Sequence, residues 1–522
     1  METTVPYWPR SLAGALALAA LLGIQAATAA APRPNLIVIF TDDQGYQDIG
    51  CFGSRTIRTP HLDRMAAGGL ILNSFYAQPV CGVSRAALMT GSYPIRVGEP
   101  GNLKRLHTVP HPEELTMAEV LKAAGYATGI IGKWHLCAPD RSAPGGYDPA
   151  TMPNAQGFDH FYGTPLFNGA HVAVTDSPFR SPIFRNGEVV ARAVQNWDHI
   201  TADYTREAIA YITAHQARPF FLYLAHNMPH IPLGASTAFK GKSAAGPYGD
   251  AVEEIDWSTG EILRTLRALG LDERTLVIFT SDNGPWVETT HAMNPAGKAF
   301  IPRNHSGRAD PLRGWKMSAW EGGSRVPFIA RWPGKIPAGG RSDEILTTMD
   351  LLPTFAALAG AKLPSTLRLD GLDASDFLLG KSSRSPRSEF LYYTGCRLTA
   401  IRVARWKLVL PRPANPPGTG WWGRMIEEIR EPQLFDLVAD PAEMTNVAGQ
   451  HPEVVARLSG RLEAARDELG DIDRTGRGAR LFDAGPRRLQ VPLASSPAPR
   501  PPRPAAHTAR PGSETESRRP IP

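Results

Sequence analysis

Asn35-Leu36-Ile37-Val38-Ile39-Phe40-Thr41-Asp42-Asp43 decides how this chain folds. Its apolar run does not alternate with polar residues, so it reads as a short strand buried on both faces. It ends directly on two carboxylates. Three further runs repeat the pattern: Ala127-Thr128-Gly129-Ile130-Ile131-Gly132 leads to Lys133-Trp134-His135, and Phe220-Phe221-Leu222-Tyr223-Leu224 leads to Ala225-His226-Asn227-Met228-Pro229-His230. Leu276-Val277-Ile278-Phe279-Thr280 leads to Ser281-Asp282-Asn283-Gly284. Helical patterns lie between the runs, at residues 116–124 and 252–269 among others. This alternation predicts an α/β domain with a mostly parallel central sheet flanked by helices. Ligands of such sheets bind beyond the carboxyl ends of the strands, so the four polar clusters are expected to share one cleft. One cluster alone would be an ordinary strand-terminating turn. Four coincident turns with complementary chemistry are not.

Asp42 and Asp43, with Asp282 and Asn283, offer only oxygen ligands. Adjacent carboxylates repel unless a cation lies between them, and an all-oxygen set suits a hard divalent ion, Ca²⁺ or Mg²⁺, better than zinc. A separate stretch, Cys81-Gly82-Val83-Ser84-Arg85-Ala86-Ala87-Leu88-Met89-Thr90-Gly91, reads as a cysteine ahead of a helix that starts near Ser84.

The 522 residues allow two domains. Arg10, an apolar stretch over residues 12–24 and small residues at 27–31 resemble an export signal, too short for a comfortable membrane span. No stable span is expected after its removal, which implies a secreted or periplasmic protein. The formal charge of +6 comes mostly from residues 484–522, where seven arginines face only Glu514 and Glu516. The basic balance is therefore no argument for a nucleic-acid partner. That Pro- and Ala-rich tail, without aromatics, reads as disordered. Cys51, Cys81, Cys137 and Cys396 are too few and scattered for a disulfide scaffold or a zinc cluster. After residue 379 short strands are expected at residues 390–394, 400–403 and 406–410, then a helix over 452–469 presenting Val455, Leu458 and Leu462. The organisation expected is thus a signal (1–31), a catalytic domain (32–380), a C-terminal subdomain with an antiparallel sheet and a helix (381–483), and the tail (484–522).

The stretch from Cys81 resembles the signature of the formylglycine-dependent (type I) sulfatases, arylsulfatase-like members of the alkaline phosphatase superfamily, with Val83 where Pro or Ala is usual. Gly132-Lys133-Trp134-His135-Leu136, Pro229-His230-Ile231-Pro232 and Pro311-Leu312-Arg313-Gly314-Trp315-Lys316 with Glu321-Gly322-Gly323 are similar to further family segments, in order. So is Leu434-Phe435-Asp436-Leu437 followed by Asp440-Pro441, Glu443 and Asn446. The resemblance implies an alkaline-phosphatase-like large domain and a sulfate ester hydrolase. It implies one Ca²⁺ per chain (Mg²⁺ being the alternative) held by Asp42, Asp43, Asp282, Asn283 and the residue at position 81. That residue would be 3-oxoalanine (formylglycine), made from Cys81 by a formylglycine-generating enzyme, and its hydrate would attack sulfur. Arg85 would support the hydrate and the carboxylates, and His135 would handle the hydrate's proton. Lys133, Lys316 and His230 would bind sulfate, with His230 or Lys316 protonating the departing oxygen.

The substrate implied is an aryl or carbohydrate sulfate. The competing readings are a phosphonate or phosphate ester hydrolase of the same superfamily and a catalytically silent protein that binds sulfated glycans. The loop of residues 285–313, with Trp286, His291, Lys298, Arg303, His305 and Arg308, stands open between substrate contact and solvated loop, and the Trp421-Trp422 pair between stacking on a sugar and packing between domains. His226 reads equally well as a turn or solvent-facing residue.

Overall fold

The computed structural model describes residues 1–2, 33–97, 110–138, 140, 142–168, 181–191, 196–287, 305–414 and 426–480. Residues 3–31 of the expected export signal, the basic tail, Trp421, Trp422, His291, Lys298 and Arg303 lie outside the described residues.

In chain order the strands of the large sheet are β1 (Asn35–Thr41), β2 (Leu70–Tyr76), β3 (Ala127–Gly132), β4 (His160–Gly163), β5 (Ile183–Arg185), β6 (Glu188–Ala191), β7 (Phe220–Ala225), β8 (Thr275–Ser281), β9 (Arg325–Val326), β10 (Phe328–Arg331) and β11 (Gly340–Thr347). They form an 11-stranded sheet in the order β11-β2-β10-β8-β1-β7-β3-β4-β5-β6, with β9 paired to β2. β8, β1, β7, β3 and β4 run parallel, whereas β10 is antiparallel to both of its neighbours. The sheet is mixed but parallel at its centre, as expected.

Seven helices matter here: α1 (Pro60–Ala67), α2 (Cys81–Thr90), α3 (Met117–Ala123), α4 (Ile200–Ala214), α5 (Gly246–Ala268), α6 (Leu351–Ala359) and α7 (Pro452–Leu469). The unbroken apolar character of β1 has a direct cause. Leu36, Val38 and Phe40 face a core shared with α2, α3 and α6, while Ile37 and Ile39 face a second core shared with α1, α4 and α5. Helices therefore cover both faces of the central strands. α3 begins at a capping box in which Thr116 and Glu119 satisfy each other's backbone amides. α5 starts six residues before the expected position.

A second sheet of four antiparallel strands follows: β12 (Glu389–Thr394), β13 (Arg397–Val403), β14 (Trp406–Val409) and β15 (Gln433–Asp436). α7 lays Val454, Leu458, Leu462 and Leu469 against it, so Val454 rather than Val455 is the more deeply buried of the pair. The two sheets share a core. The rings of Tyr76 on β2 and Phe390 on β12 stack with centroids 4.7 Å apart, and Trp320 meets Phe435 edge-on.

The same seam holds a buried ionic cluster. Lys407 Nζ on β14 lies 3.1 Å from Glu321 Oε1 and 2.7 Å from Glu443 Oε1. Tyr76 OH donates to Glu321 Oε2 (2.6 Å), and Glu321 N donates to Glu443 Oε2 (2.8 Å). Glu321 and Glu443 belong to two of the segments singled out by resemblance, far apart in sequence, and here they clasp one lysine. Breaking a buried pair from one side leaves an uncompensated charge. Lys407→Met should therefore lower unfolding stability by about 3–5 kcal/mol in denaturant titration. A variant as stable as the parent would show that this seam carries no stability.

Candidate active site

β8, β1, β7 and β3 end at one level, with Thr41 beside Ser281, Phe40 beside Ala225, and Ala225 beside Gly132. Backbone pairing continues past the ends: Asp282 N donates to Thr41 O (3.0 Å), His226 N to Phe40 O (2.9 Å) and Lys133 N to Ala225 O (2.7 Å). The four polar clusters read from the sequence therefore converge. Gly132 has φ +118°, and a Cβ there would lie 1.8 Å from Ala225 O. Only glycine allows β3 to deliver Lys133 at this point.

α2 begins at Cys81 itself, with Val80 as its N-cap and Gly91 closing it in the left-handed region. Cys81 thus stands in the first turn, whose amides have no intrahelical acceptor. Its Sγ lies 3.1 Å from Asp42 Oδ1 and 3.6 Å from Asp43 Oδ1. Lys316 Nζ approaches that sulfur to 3.0 Å and Asp43 Oδ1 to 2.7 Å. One turn along α2, Arg85 donates through Nε and one terminal nitrogen to Asp282 Oδ2 (3.2 and 2.8 Å). Its other terminal nitrogen reaches Lys133 O and Tyr223 OH. Lys133 Nζ pairs with Asp42 Oδ2 at 2.5 Å. Asn283 Nδ2 donates to Asp43 Oδ1 (2.7 Å), and His230 Nε2 lies 3.6 Å from Asp43 Oδ2.

Arg85, Lys133, Asp42, Asp282 and Asn283 are fully buried, and Lys316, Asp43, Cys81 and His230 nearly so. Neither Lys133 nor Lys316 is a surface charge. His135 is buried too, with its backbone in the left-handed region (φ 63°), its amide on Pro165 O and its ring beside Phe167.

Burial by itself disfavours every one of these charges. For Asp42 that penalty is outweighed by Lys133, His230, Arg85 and Lys316, which hold its pKa below the ordinary carboxylate value. For Asp282 burial and the neighbouring Asp42 win, and its pKa is raised. Burial also works against the Lys316 ammonium, but Asp43 and the other acids raise its pKa above the ordinary lysine value. Burial, then Asp282 and Asp42, push the Cys81 thiol well above its usual value. An unmodified Cys81 is therefore poorly placed to act as a thiolate nucleophile.

The donor set fits a metal. One ligand atom each from Asp42, Asp43, Cys81 and His230 lies within 4.8 Å of the others. Asp43 Oδ2 and Asn283 Oδ1 are buried and accept no hydrogen bond among the described residues. Orphaned buried oxygens facing a carboxylate pair are what a hard divalent cation would satisfy. His230 joins this cluster, although the sequence offers it as a sulfate ligand and proton donor and not as a metal ligand.

His226 is fully buried, and both its ring nitrogens lack a hydrogen-bond partner among the described residues. It is not solvent-facing. Nothing in the apolar run that precedes it signals this. Trp286, read as part of an open loop, instead packs against His230 and Lys316. Tyr223 on β7, a core residue by its sequence pattern, also reaches the site through Arg85.

A parallel sheet ending in buried carboxylates, lysines and a cysteine at a helix start defines a centre for hydrolysing anionic esters. Comparison with known proteins makes this specific. The sulfatase family model matches residues 34–361, and the model for the C-terminal region of aryl-sulfatase matches residues 385–479. The chain belongs to the sulfatase family, and it is a sulfuric ester hydrolase. Human arylsulfatase A is 37% identical over 495 residues, 86% of this chain and 89% of that protein. An N-acetylgalactosamine-6-O-sulfatase of Bacteroides thetaiotaomicron is 34% identical over 491 residues, 83% of this chain and 93% of that protein. The crystal structure of a Pseudoalteromonas sulfatase superposes with a TM-score of 0.69 at 28% identity, covering 83% of this chain and 89% of that one. The family implies a formylglycine and a divalent metal.

Burial lowers the pKa of His226 from 6.5 to about 3. The unfolded chain binds this proton more readily, so the stability tied to His226 is lost as pH falls below 6.5 toward 3. Between about pH 7 and about pH 5 the contribution is roughly 2 kcal/mol. His226→Leu, which strands no partner, should flatten the acid limb of the stability–pH curve by that amount. An unchanged limb would mean that His226 does not report acid loss.

Proposed function

We propose that the chain hydrolyses the sulfate monoester of a carbohydrate or aryl compound, with formylglycine made from Cys81 by a formylglycine-generating enzyme and with one Ca²⁺. The observation that carries this reading is the position of Cys81, first in α2 and within 3.6 Å of Asp42, Asp43 and Lys316. The relatives named as carbohydrate and aryl sulfatases support the substrate class.

Asp42, Asp43, Asp282, Asn283 and residue 81 would hold the cation, with His230 at its edge. When bound, the cation neutralises charge on the ester and on its own ligands, and formylglycine supplies the nucleophilic hydrate and a route for expelling sulfate. The protein's own groups do the rest. Lys133 and Lys316 bind the sulfuryl oxygens, and the first-turn amides of α2 add partial positive charge. Arg85 fixes Asp282 and the Lys133 carbonyl, which keeps the carboxylates and Lys133 in place. His135 would accept a proton at its ring nitrogen from the nucleophile that residue 81 supplies. Lys316 or His230 gives a proton to the departing oxygen. Three carboxylates, Asp42, Asp43 and Asp282, face three cations, Lys133, Lys316 and Arg85, so a bound divalent ion leaves a positive surplus for an anionic ester.

Residues 1–31 serve as the export signal, 32–380 as the catalytic domain and 381–483 as the C-terminal subdomain, followed by the Pro- and Arg-rich segment 484–522. The composition of the first 31 residues supports work outside the cytoplasm, secreted or periplasmic. Among the described residues, no helix is long and apolar enough to cross a membrane.

The decisive experiment is the mass of the Cys81 peptide from protein made with a formylglycine-generating enzyme, followed by assay on 4-nitrophenyl sulfate with Ca²⁺. The aldehyde mass and sulfate release are expected. Asp282→Ala should cost at least about 100-fold in kcat/KM, and chelation should match it. A persistent thiol, or near-parental activity of the variant, would overturn the mechanism. Faster turnover of an aryl phosphodiester than of the sulfate would move the chain to phosphorus chemistry.

A further inference from the structure

Two turns meet beside Cys81, one carrying Asn283 and the other Lys316. Their backbones are stapled together: Gly284 N donates to Gly323 O (3.0 Å) and Lys316 N to Pro285 O (3.1 Å). The approach is so close that a Cβ on Gly284 would sit 1.7 Å from Gly322 O. The next residue after this staple is Trp286, which is only 7% exposed. Lys316 Nζ lies over its ring, 4.4 Å from the centroid. The His230 ring meets the same indole edge-on, centroids 5.2 Å apart at 77°.

The ammonium of Lys316 has three N–H donors. Asp43 Oδ1 takes one of them, and Cys81 Sγ, whose place an oxygen of residue 81 takes after maturation, a second. The indole face stabilises the charge without consuming a donor, so one N–H is left for the ester. A polar side chain at this position would compete for that donor, and a small one would leave space into which the ammonium could move, away from the ester. The same ring limits His230 from the other side.

We propose that Trp286 is a positioning residue for leaving-group protonation, holding Lys316 and His230 as one unit against the departing oxygen. This rests on the sulfatase reading above and adds to it a residue outside the segments that carried the family resemblance. Its consequence is selective. An ester with a good leaving group needs little proton donation, whereas one with a poor leaving group depends on it.

The test compares kcat/KM for 4-nitrophenyl sulfate and phenyl sulfate in the matured parent enzyme, Trp286→Leu, Trp286→Phe and Lys316→Met, each checked for folding by circular dichroism and melting temperature. Trp286→Leu should lose about tenfold on 4-nitrophenyl sulfate and about 100-fold on phenyl sulfate. Trp286→Phe, which keeps an aromatic face, should recover most of the loss on both. Equal losses on the two esters, or a Phe variant no better than the Leu variant, would overturn the proposal. Lys316→Met separates the two levels of inference. If it shows the leaving-group-dependent loss and Trp286→Leu does not, the role of Trp286 alone falls. If Lys316→Met loses equally on both esters, the proton-donor assignment falls and the proposal with it. A matured parent that cleaves neither ester overturns the aryl-sulfate reading above, on which this comparison rests.

Discussion

Three carboxylates buried at one point make the rest of this structure necessary. Asp42, Asp43 and Asp282 stand at the ends of two adjacent strands, out of reach of water. Each needs a positive partner, because an uncompensated buried charge is far more costly than a paired one. The partners come from three different elements: Lys133 from the end of β3, Arg85 from the second turn of α2, and Lys316 from the turn before Glu321. None can be supplied locally. Sheet, helix and turn must therefore come together for the charges to be matched, and the same meeting places Cys81 among them.

The C-terminal sheet belongs to this construction. Glu321, next to the turn that bears Lys316, is clasped by Lys407 from β14 and shares that lysine with Glu443. Gly322 N donates to Arg313 O and Gly323 N to Trp320 O, so the turn is tightly folded on itself, and Arg313 covers the Trp320 ring. α2 is braced from the same side. Val83, the departure from the usual signature, packs against the cluster of Val80, Met317 and Ile426. A branched apolar side chain at position 83 thus has a packing reason: it joins the nucleophile's helix to the C-terminal region. Among the described residues no disulfide is formed, so none of this depends on one.

Much of the site was legible before folding because strand-end chemistry is local. An unbroken apolar run followed by Asp-Asp, Lys-x-His or Asp-Asn states both a buried strand and what its end presents. The start of α2 was less legible. Cys81 and Gly82 carry no helix-start signal, and Val80 caps without a side-chain bond, so the eye moves to Ser84. His226 was misread for a related reason. It follows β7 just as the site residues follow their strands, but backbone pairing with Phe40 keeps it inside.

The sequence by itself determined the element types, the central parallel strands and the residues offered at their ends, because period, burial on two faces and strand termination depend on neighbours a few positions away. Tertiary structure alone decided which offered groups pair. That Lys316 closes on Asp43 and Cys81, that Trp286 turns from an open loop onto Lys316 and His230, and that Glu321 and Glu443 share Lys407 are all contacts between distant segments. Such contacts exist only once burial has removed water as a competing partner, and no local pattern records them.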